Sequence, residues 1–407
     1  MSVLLIITDG MADEPIALLN HQTPLEVALK PNLDTIARLG QNGLLRTTPE
    51  GWEVGSDVAC LSILGYDVNK HYPARSVLEA AQMDITINEE ELVMRCNLIT
   101  LEDDKISSFT ADHISSAEAK VLIDALNVEL KSEFVKFYTG NSYRHILKIN
   151  QFSRMLKCIL PHNHIDADKS CLYIHSSDKD DESLIYTLNQ LIDQAQTILA
   201  NHPINQARIS RGLKPANAIS LWAPGGASSL PTLNSIYPTL KKGAVISAVD
   251  LIKGIGKLAG FEIINVDGAT GLADTNYQGK AKAAIQALQT NDIVLLHIEA
   301  PDEASHEGNL ELKLKTIEDI DAQVLAPILR ETKGWSNPPL IVLLPDHITS
   351  TTTKTHQPGS VPFTVYHPSL EPDKVQFFSE SEAKQGVYQF DKTSELMDLM
   401  VMLNKGV

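Results

Sequence analysis

Three long apolar runs, Val3-Leu4-Leu5-Ile6-Ile7, Ile293-Val294-Leu295-Leu296-His297-Ile298 and Leu340-Ile341-Val342-Leu343-Leu344, constrain this chain more than any other feature. Runs of that length without polar alternation predict strands buried on both faces, as in a parallel sheet covered by helices. Each run ends in a polar segment with a carboxylate: Thr8-Asp9-Gly10, Glu299-Ala300-Pro301-Asp302 and Pro345-Asp346-His347. Ligands of open α/β sheets bind beyond the carboxyl ends of the strands, so three such ends would converge on one rim.

Strand and helix signals alternate between these runs. Pro31 to Gly40 has helical apolar spacing and a terminal glycine. Val54-Gly55-Ser56-Asp57 reads as a turn into a helix, with Ser56 near its N-terminus. Amides and dipole at that end favour an anion and would stabilise a phosphorylated side chain. An N-cap serine is the structural alternative. From about residue 84 to 214 the texture changes to short alternating stretches, such as Lys105 to Phe109 and His145 to Ile149, with helices around 116–130 and 182–199. That pattern predicts a smaller α+β domain, and the α/β pattern resumes at Pro215. The expected organisation is an α/β domain, 1–84 with 215–407, interrupted by a smaller domain, 85–214. A chain of 407 residues is long enough for both.

Composition narrows the partners. With 34 basic against 51 acidic residues the net charge is −17, which argues against nucleic acid. A polyanionic substrate would need a local positive centre, from arginines or from metal. Cys60, Cys96, Cys158 and Cys171 are dispersed without a C-x-x-C pair, which suits a reducing compartment. No run approaches the ~20 apolar residues of a membrane span, and no signal-peptide pattern opens the chain. The expectation is a cytoplasmic protein that binds neither membrane nor nucleic acid; nothing in the sequence sets an oligomeric state.

The strand ends carry the chemistry. Asp302 and His306 are four apart, so one helical turn places them on one side. Asp346 and His347 are adjacent, and His356 follows nine residues later. Mixed carboxylate and imidazole donors suit manganese or zinc better than calcium. Together with Asp9 there are donors for two ions, and paired ions clamp both oxygens of an in-line phosphoryl displacement. Ser56 would be the nucleophile.

These motifs run nearly end to end. Thr8-Asp9-Gly10-Met11, Gly55-Ser56-Asp57-Val58-Ala59, Leu64-Gly65-Tyr66-Asp67, Ser142-Tyr143-Arg144 and Gly243-Ala244-Val245-Ile246-Ser247 are joined by Ala300-Pro301-Asp302-Glu303 with His306, Ile317-Glu318-Asp319-Ile320-Asp321, and Pro345-Asp346-His347 with His356. The chain resembles the cofactor-independent phosphoglycerate mutases of the archaeal type, in the alkaline phosphatase superfamily. The resemblance implies an alkaline-phosphatase-like, largely parallel sheet flanked by helices, with an inserted α+β cap. It also implies two divalent metal ions, manganese first with zinc, cobalt or magnesium as alternatives, and no 2,3-bisphosphoglycerate. One ion would be held by Asp302, His306 and His356, the other by Asp9, Ser56, Asp346 and His347. Ser56 would carry the phosphoryl group between 3- and 2-phosphoglycerate as phosphoserine, with Asp57 orienting hydroxyls or moving a proton. Arg75, His113, Arg144 and Lys280 would contact the small phosphorylated substrate, each with a salt bridge, polar cap or helix start as its structural alternative.

The chain departs from the family at three places. The family's Gly-Gln-Gly turn and following basic residue are replaced by Ala223-Pro224-Gly225-Gly226-Ala227-Ser228. Pro73-Ala74-Arg75-Ser76-Val77 replaces a more glycine-rich segment, and Pro161-His162-Asn163-His164-Ile165-Asp166 alters a Pro-His-Asp stretch. Its His-x-His spacing is compatible with metal or with a flexible polar loop. Because these changes touch substrate binding, a homoserine kinase-like phosphotransferase or a phosphatase using the same two-metal site is the alternative. A non-catalytic metal binder is a third reading, opposed by the complete ligand set.

Overall fold

The computed structural model describes residues 1–153, 155–392 and 394–406. Two compact units emerge, Met1–Tyr72 with Leu230–Val407, and Pro73–Ser229.

In the first unit the three apolar runs become neighbouring strands. β1 (Val3–Thr8) lies between β2 (Ile293–Ile298) and β3 (Leu340–Leu344), parallel to both. All their residues are buried, as unalternating runs require. Val3 is level with Ile293 and Leu340, so the strands also end level and deliver Asp9, Glu299 and Asp346 to one rim. Gly243–Ile246 and Glu262–Ile263 extend the sheet beyond β2; Ser360–Tyr366, Gln41–Arg46 and Tyr388–Phe390 extend it beyond β3. Only Ser360–Tyr366 runs against its neighbours. Leu4, Ile6, Val294, Leu296, Ile341 and Leu343 pack with Leu33 and Ile36, Ala281 and Ala284, and Ile317 and Ile320 from three helices. Each buried Val, Leu or Ile side chain among them contributes about 1.5–3 kcal/mol by leaving water.

The second unit is an antiparallel sheet built on the long strand Leu92–Glu102. Arg144–Ile149 and Ala218–Gly225 pair with it, Lys105–Ser108 pairs with its last residues, and Val135–Tyr138 adds an edge. Helices Ser116–Glu129 and Glu182–Ala200 bury Leu122, Leu126, Leu188 and Ala195 against Met94, Cys96 and Leu147.

The unit boundaries fall at 72/73 and 229/230, whereas the sequence places them at 84/85 and 214/215. Ala218–Gly225 does not resume the parallel sheet; it pairs antiparallel with Leu92–Glu102, Ser220 opposite Asn97. Helix Arg75–Gln82 goes with the same strand, through Ser76 Oγ donating to the Val93 carbonyl at 3.2 Å and an Arg95–Glu79 ion pair at 2.9 Å. A short apolar strand carries no local mark of which sheet it will join. Among the described residues no helix is long and apolar enough to cross a membrane.

Candidate active site

Helices and turns at the carboxyl ends of β1, β2 and β3 assemble one polar cluster, its carboxylates and His347 buried and Ser56, His306 and His356 half-buried. The turn after β1 passes against Asp302: Gly10 has φ +60°, and a Cβ there would lie 2.5 Å from Asp302 Oδ1 and 2.7 Å from its Cα. Only glycine fits both the conformation and the contact. Its amide donates to Asp346 Oδ1 at 3.1 Å, joining the ends of β1 and β3. After β2, α2 (Ala300–Glu307) has Pro301 in its first turn and ends at the left-handed Gly308. Its one-turn spacing sets His306 Nε2 3.1 Å from Asp302 Oδ2.

Asp302, His306 and His356 meet. His306 Nδ1 lies 2.9 Å from the Lys354 carbonyl, and His356 Nδ1 2.9 Å from that of Val54. A carbonyl only accepts, so both Nδ1 atoms carry hydrogen and both Nε2 atoms turn inward. Those Nε2 atoms are 3.0 Å apart, and His356 Nε2 is 3.5 Å from Asp302 Oδ1. Two facing lone pairs beside a carboxylate need a proton or a cation between them.

Asp9, Ser56, Asp346 and His347 form the second set. Ser56 is the first residue of α1 (Ser56–Ile63); Gly55 occupies the cap position, so the N-cap alternative for the serine does not hold. Its Oγ lies 3.2 Å from both Asp9 Oδ2 and His347 Nε2. His347 Nε2 is 3.5 Å from Asp9 Oδ1 and 3.3 Å from Asp346 Oδ2. Those two carboxylate oxygens are buried without a hydrogen-bond donor. Orphaned buried anionic oxygens, converging with an imidazole nitrogen, fit a cation.

The electrostatics point the same way. Burial pushes Asp9 well above the usual carboxylate range, and Asp346, Asp302 and Glu299 add to it. Burial would also raise Asp302, yet hydrogen bonds with His306 and His356 hold it well below. Asp302 in turn pushes His306 up to about 9. Burial lowers His347 and takes His297 down to about 4.

A family described as 2,3-bisphosphoglycerate-independent phosphoglycerate mutase matches residues 37–205. The Methanosarcina acetivorans protein of that name is 44% identical over 403 residues, 98% of this chain and 100% of the relative. The chain belongs to this phosphoglycerate mutase family. A probable 2,3-bisphosphoglycerate-independent phosphoglycerate mutase of Geobacter sulfurreducens is 39% identical over 406 residues, covering 98% of this chain and 100% of its own. Among solved structures, a Pyrococcus horikoshii protein aligns with a TM-score of 0.83 at 26% identity, over 100% of this chain and 98% of that one. The cofactor-independent phosphoglycerate mutase from Thermoplasma acidophilum aligns with a TM-score of 0.67 at 25% identity, over 99% and 100%.

The remaining candidates fall in both units. Asp57 is buried and accepts the Tyr72 hydroxyl at 2.5 Å. Lys280 is buried in the first unit, its Nζ 3.4 Å from the Thr270 carbonyl, and burial pulls it down to about 8 against the pull of Glu299. Arg75, His113 and Arg144 belong to the second unit. There Arg144 lies over the Tyr143 ring at 5.0 Å, and the His113 ring is edge-on to Tyr143. His162 is edge-on to Phe109 and Trp222, and His164 Nδ1 meets the Leu160 carbonyl at 3.0 Å. Among the described residues, neither joins a three-ligand group.

Four polar residues escaped the sequence reading. His297 Nε2 is 3.1 Å from Asp9 Oδ2, and its Nδ1 is 3.2 Å from Ser247 Oγ, which accepts the Val249 amide. The serine hydrogen is thus free for Nδ1, and Nε2–H donates to Asp9. A lone histidine in an apolar strand was the available signal. Lys313, wholly buried, donates to the Ala12 and Thr349 carbonyls and to Asp13 Oδ2 at 3.2, 2.8 and 2.9 Å, tying the segments after β1 and β3 together. Thr349 Oγ1 lies between Asp302 and His347, one from each set, and Arg95 stacks on Trp222 at 4.2 Å in the second unit. Cys60 lies near His297 and Asp346, but burial pushes its thiol well up and both His297 nitrogens are committed.

Proposed function

We propose that this chain interconverts 3-phosphoglycerate and 2-phosphoglycerate through a phosphoserine at Ser56. The observation that supports this most is a serine hydroxyl at a helix start, 3.2 Å from Asp9 and His347, beside two orphaned carboxylate oxygens. Asp302, His306 and His356 would hold one divalent cation; Asp9, Ser56, Asp346 and His347 would hold the other, with manganese as the proposed metal. Bound there, the ions would stabilise the serine alkoxide and the charge on the transferring phosphoryl group.

Ser56 Oγ attacks phosphorus as the bond from phosphorus to the substrate's 3-oxygen breaks, and that oxygen gains a proton. Amides at the start of α1 favour the resulting dianion. The 2-hydroxyl of the same glycerate then attacks, gives up its proton, and Ser56 leaves, so protons and phosphoryl group balance over the cycle. Asp57, held by Tyr72, is the proposed proton carrier. Arg75, Arg144 and His113 are proposed for the substrate's phosphate and carboxylate, because guanidinium groups fork onto such anions. Lys280 is proposed as a further cation for the substrate.

Four unpaired cysteines agree with a cytoplasmic location. The relatives quoted above carry the mutase name, which favours this activity over a homoserine kinase-like one. The decisive assay is purified protein with Mn²⁺ and 3-phosphoglycerate, without ATP. Formation of 2-phosphoglycerate is expected, and Ser56→Ala should lower it by at least ~10⁴-fold. Full activity in Ser56→Ala would exclude the phosphoserine, and release of inorganic phosphate instead of 2-phosphoglycerate would indicate a phosphatase.

A further inference from the structure

Thr349 is fully buried, and its hydroxyl stands between the two ligand sets. Oγ1 is 2.6 Å from Asp302 Oδ1 and 3.0 Å from His347 Nδ1. An ionised carboxylate only accepts, so the hydroxyl hydrogen goes to Asp302. The oxygen must then accept Nδ1–H of His347, which leaves Nε2 as a bare lone pair facing Ser56, Asp9 and Asp346. The backbone of Thr349 is equally constrained. Its amide donates to the Ala12 carbonyl at 3.1 Å, its carbonyl accepts from Lys313 at 2.8 Å, and in the short hairpin it is the register partner of His356.

We propose that Thr349 is a positioning residue shared by both cation sites. One hydroxyl sets the orientation of Asp302 for the first site and the tautomer of His347 for the second. A ligand belongs to one ion, whereas this hydroxyl serves both, so its removal weakens two binding steps at once. The inference rests on the assignment of the two clusters as divalent-cation sites.

The test is calorimetric titration of Mn²⁺ into metal-free wild type, Thr349→Val and Thr349→Ser, with ¹⁵N NMR of the imidazole tautomers in the metal-free wild type. Thr349→Val keeps the side-chain shape and deletes the hydroxyl. It is expected to weaken both steps by about tenfold or more, in the range of outer-shell ligand partners. Thr349→Ser is expected to stay within about threefold of wild type, and His347 to show the Nδ1–H form. Wild-type binding of both ions by Thr349→Val, or loss at one step alone, overturns the proposal. An Nε2–H tautomer of His347 in the wild type overturns it without any variant. A wild type that takes up no Mn²⁺ would instead overturn the cation assignment itself.

Discussion

In the first unit, the acidic residues of the cluster are buried and the imidazoles are each held at the nitrogen facing away from it. In the second unit, the candidate cations are placed differently. His113 and Arg144 are exposed, and His113 closes a run of three left-handed residues, Ala111, Asp112 and His113, with φ of +47, +57 and +50°. Ala74, before Arg75, has φ +73°, and Ala223 has φ +50°. Left-handed backbone costs about 1–2 kcal/mol for each non-glycine residue. The first unit meets the turn after β1 with Gly10, although Asn20, His21 and Lys354 are also left-handed there, whereas the second uses alanine at 74, 111 and 223. Fixed distances in that cluster come from burial with committed hydrogen bonds, and from one left-handed residue, Lys354 at φ +62°, whose carbonyl meets His306 Nδ1. The second unit holds strained backbone beside residues proposed for substrate, and Ala74 and Ala223 both fall in segments where the sequence reading expects a departure from the family. Surrounding bonds restrain the strained run: Ser108 Oγ and Thr110 Oγ1 accept the Asp112 and His113 amides, and Arg208 donates to the Ala111 carbonyl.

The largest test of this contrast uses pH. His306 is pushed up to about 9 by Asp302, so a divalent cation must displace its proton at neutral pH. Apparent Mn²⁺ affinity is expected to rise about 50-fold between pH 7 and pH 9 for that one proton. The sign reverses for metal-free stability: a raised histidine contributes fully below its unfolded value near 6.5 and loses that contribution as pH rises through about 9. Calorimetry across pH, with melting of the metal-free protein alongside, checks both signs. A flat affinity profile would mean that His306 does not bind the ion.

Next in size is His297. Replacing it by Leu removes the donor that holds Asp9 Oδ2, and metal affinity is expected to fall about 10–100-fold. His297→Gln, which keeps a donor, should recover most of that loss; equal losses in both variants would reduce His297 to a packing role.

The smallest effect probes the strained side. Ala74→Gly relieves a left-handed residue at the expense of a more flexible unfolded chain, and is expected to stabilise the protein by about 0.5–1 kcal/mol. Denaturant unfolding reads this directly, and Mn²⁺ affinity should stay unchanged. A destabilised Ala74→Gly would show that contacts of the Ala74 methyl group outweigh the backbone term.

Much of the cluster was legible because its carboxylates follow strands that announce themselves locally. Asp9, Asp302 and Asp346 stand within four residues of apolar runs, and His306 is one helical turn from Asp302. His356 could be proposed but not placed, since its position depends on the hairpin that pairs it with Thr349. Thr349 and Lys313 could not be singled out. One reads as an ordinary loop threonine and the other as a helix surface lysine, until burial makes each the partner of groups hundreds of residues away.

By itself, therefore, the sequence determined three buried parallel strands, the carboxylates at their ends and a serine opening a helix, because apolar runs and turn residues act over a few positions. Only the tertiary structure decided that Ala218–Gly225 joins the second sheet, that His297 stands behind Asp9, and that one threonine hydroxyl lies between Asp302 and His347. Strand partnership and buried hydrogen bonds are long-range choices, set by which surfaces can exclude water together, and no local pattern encodes them.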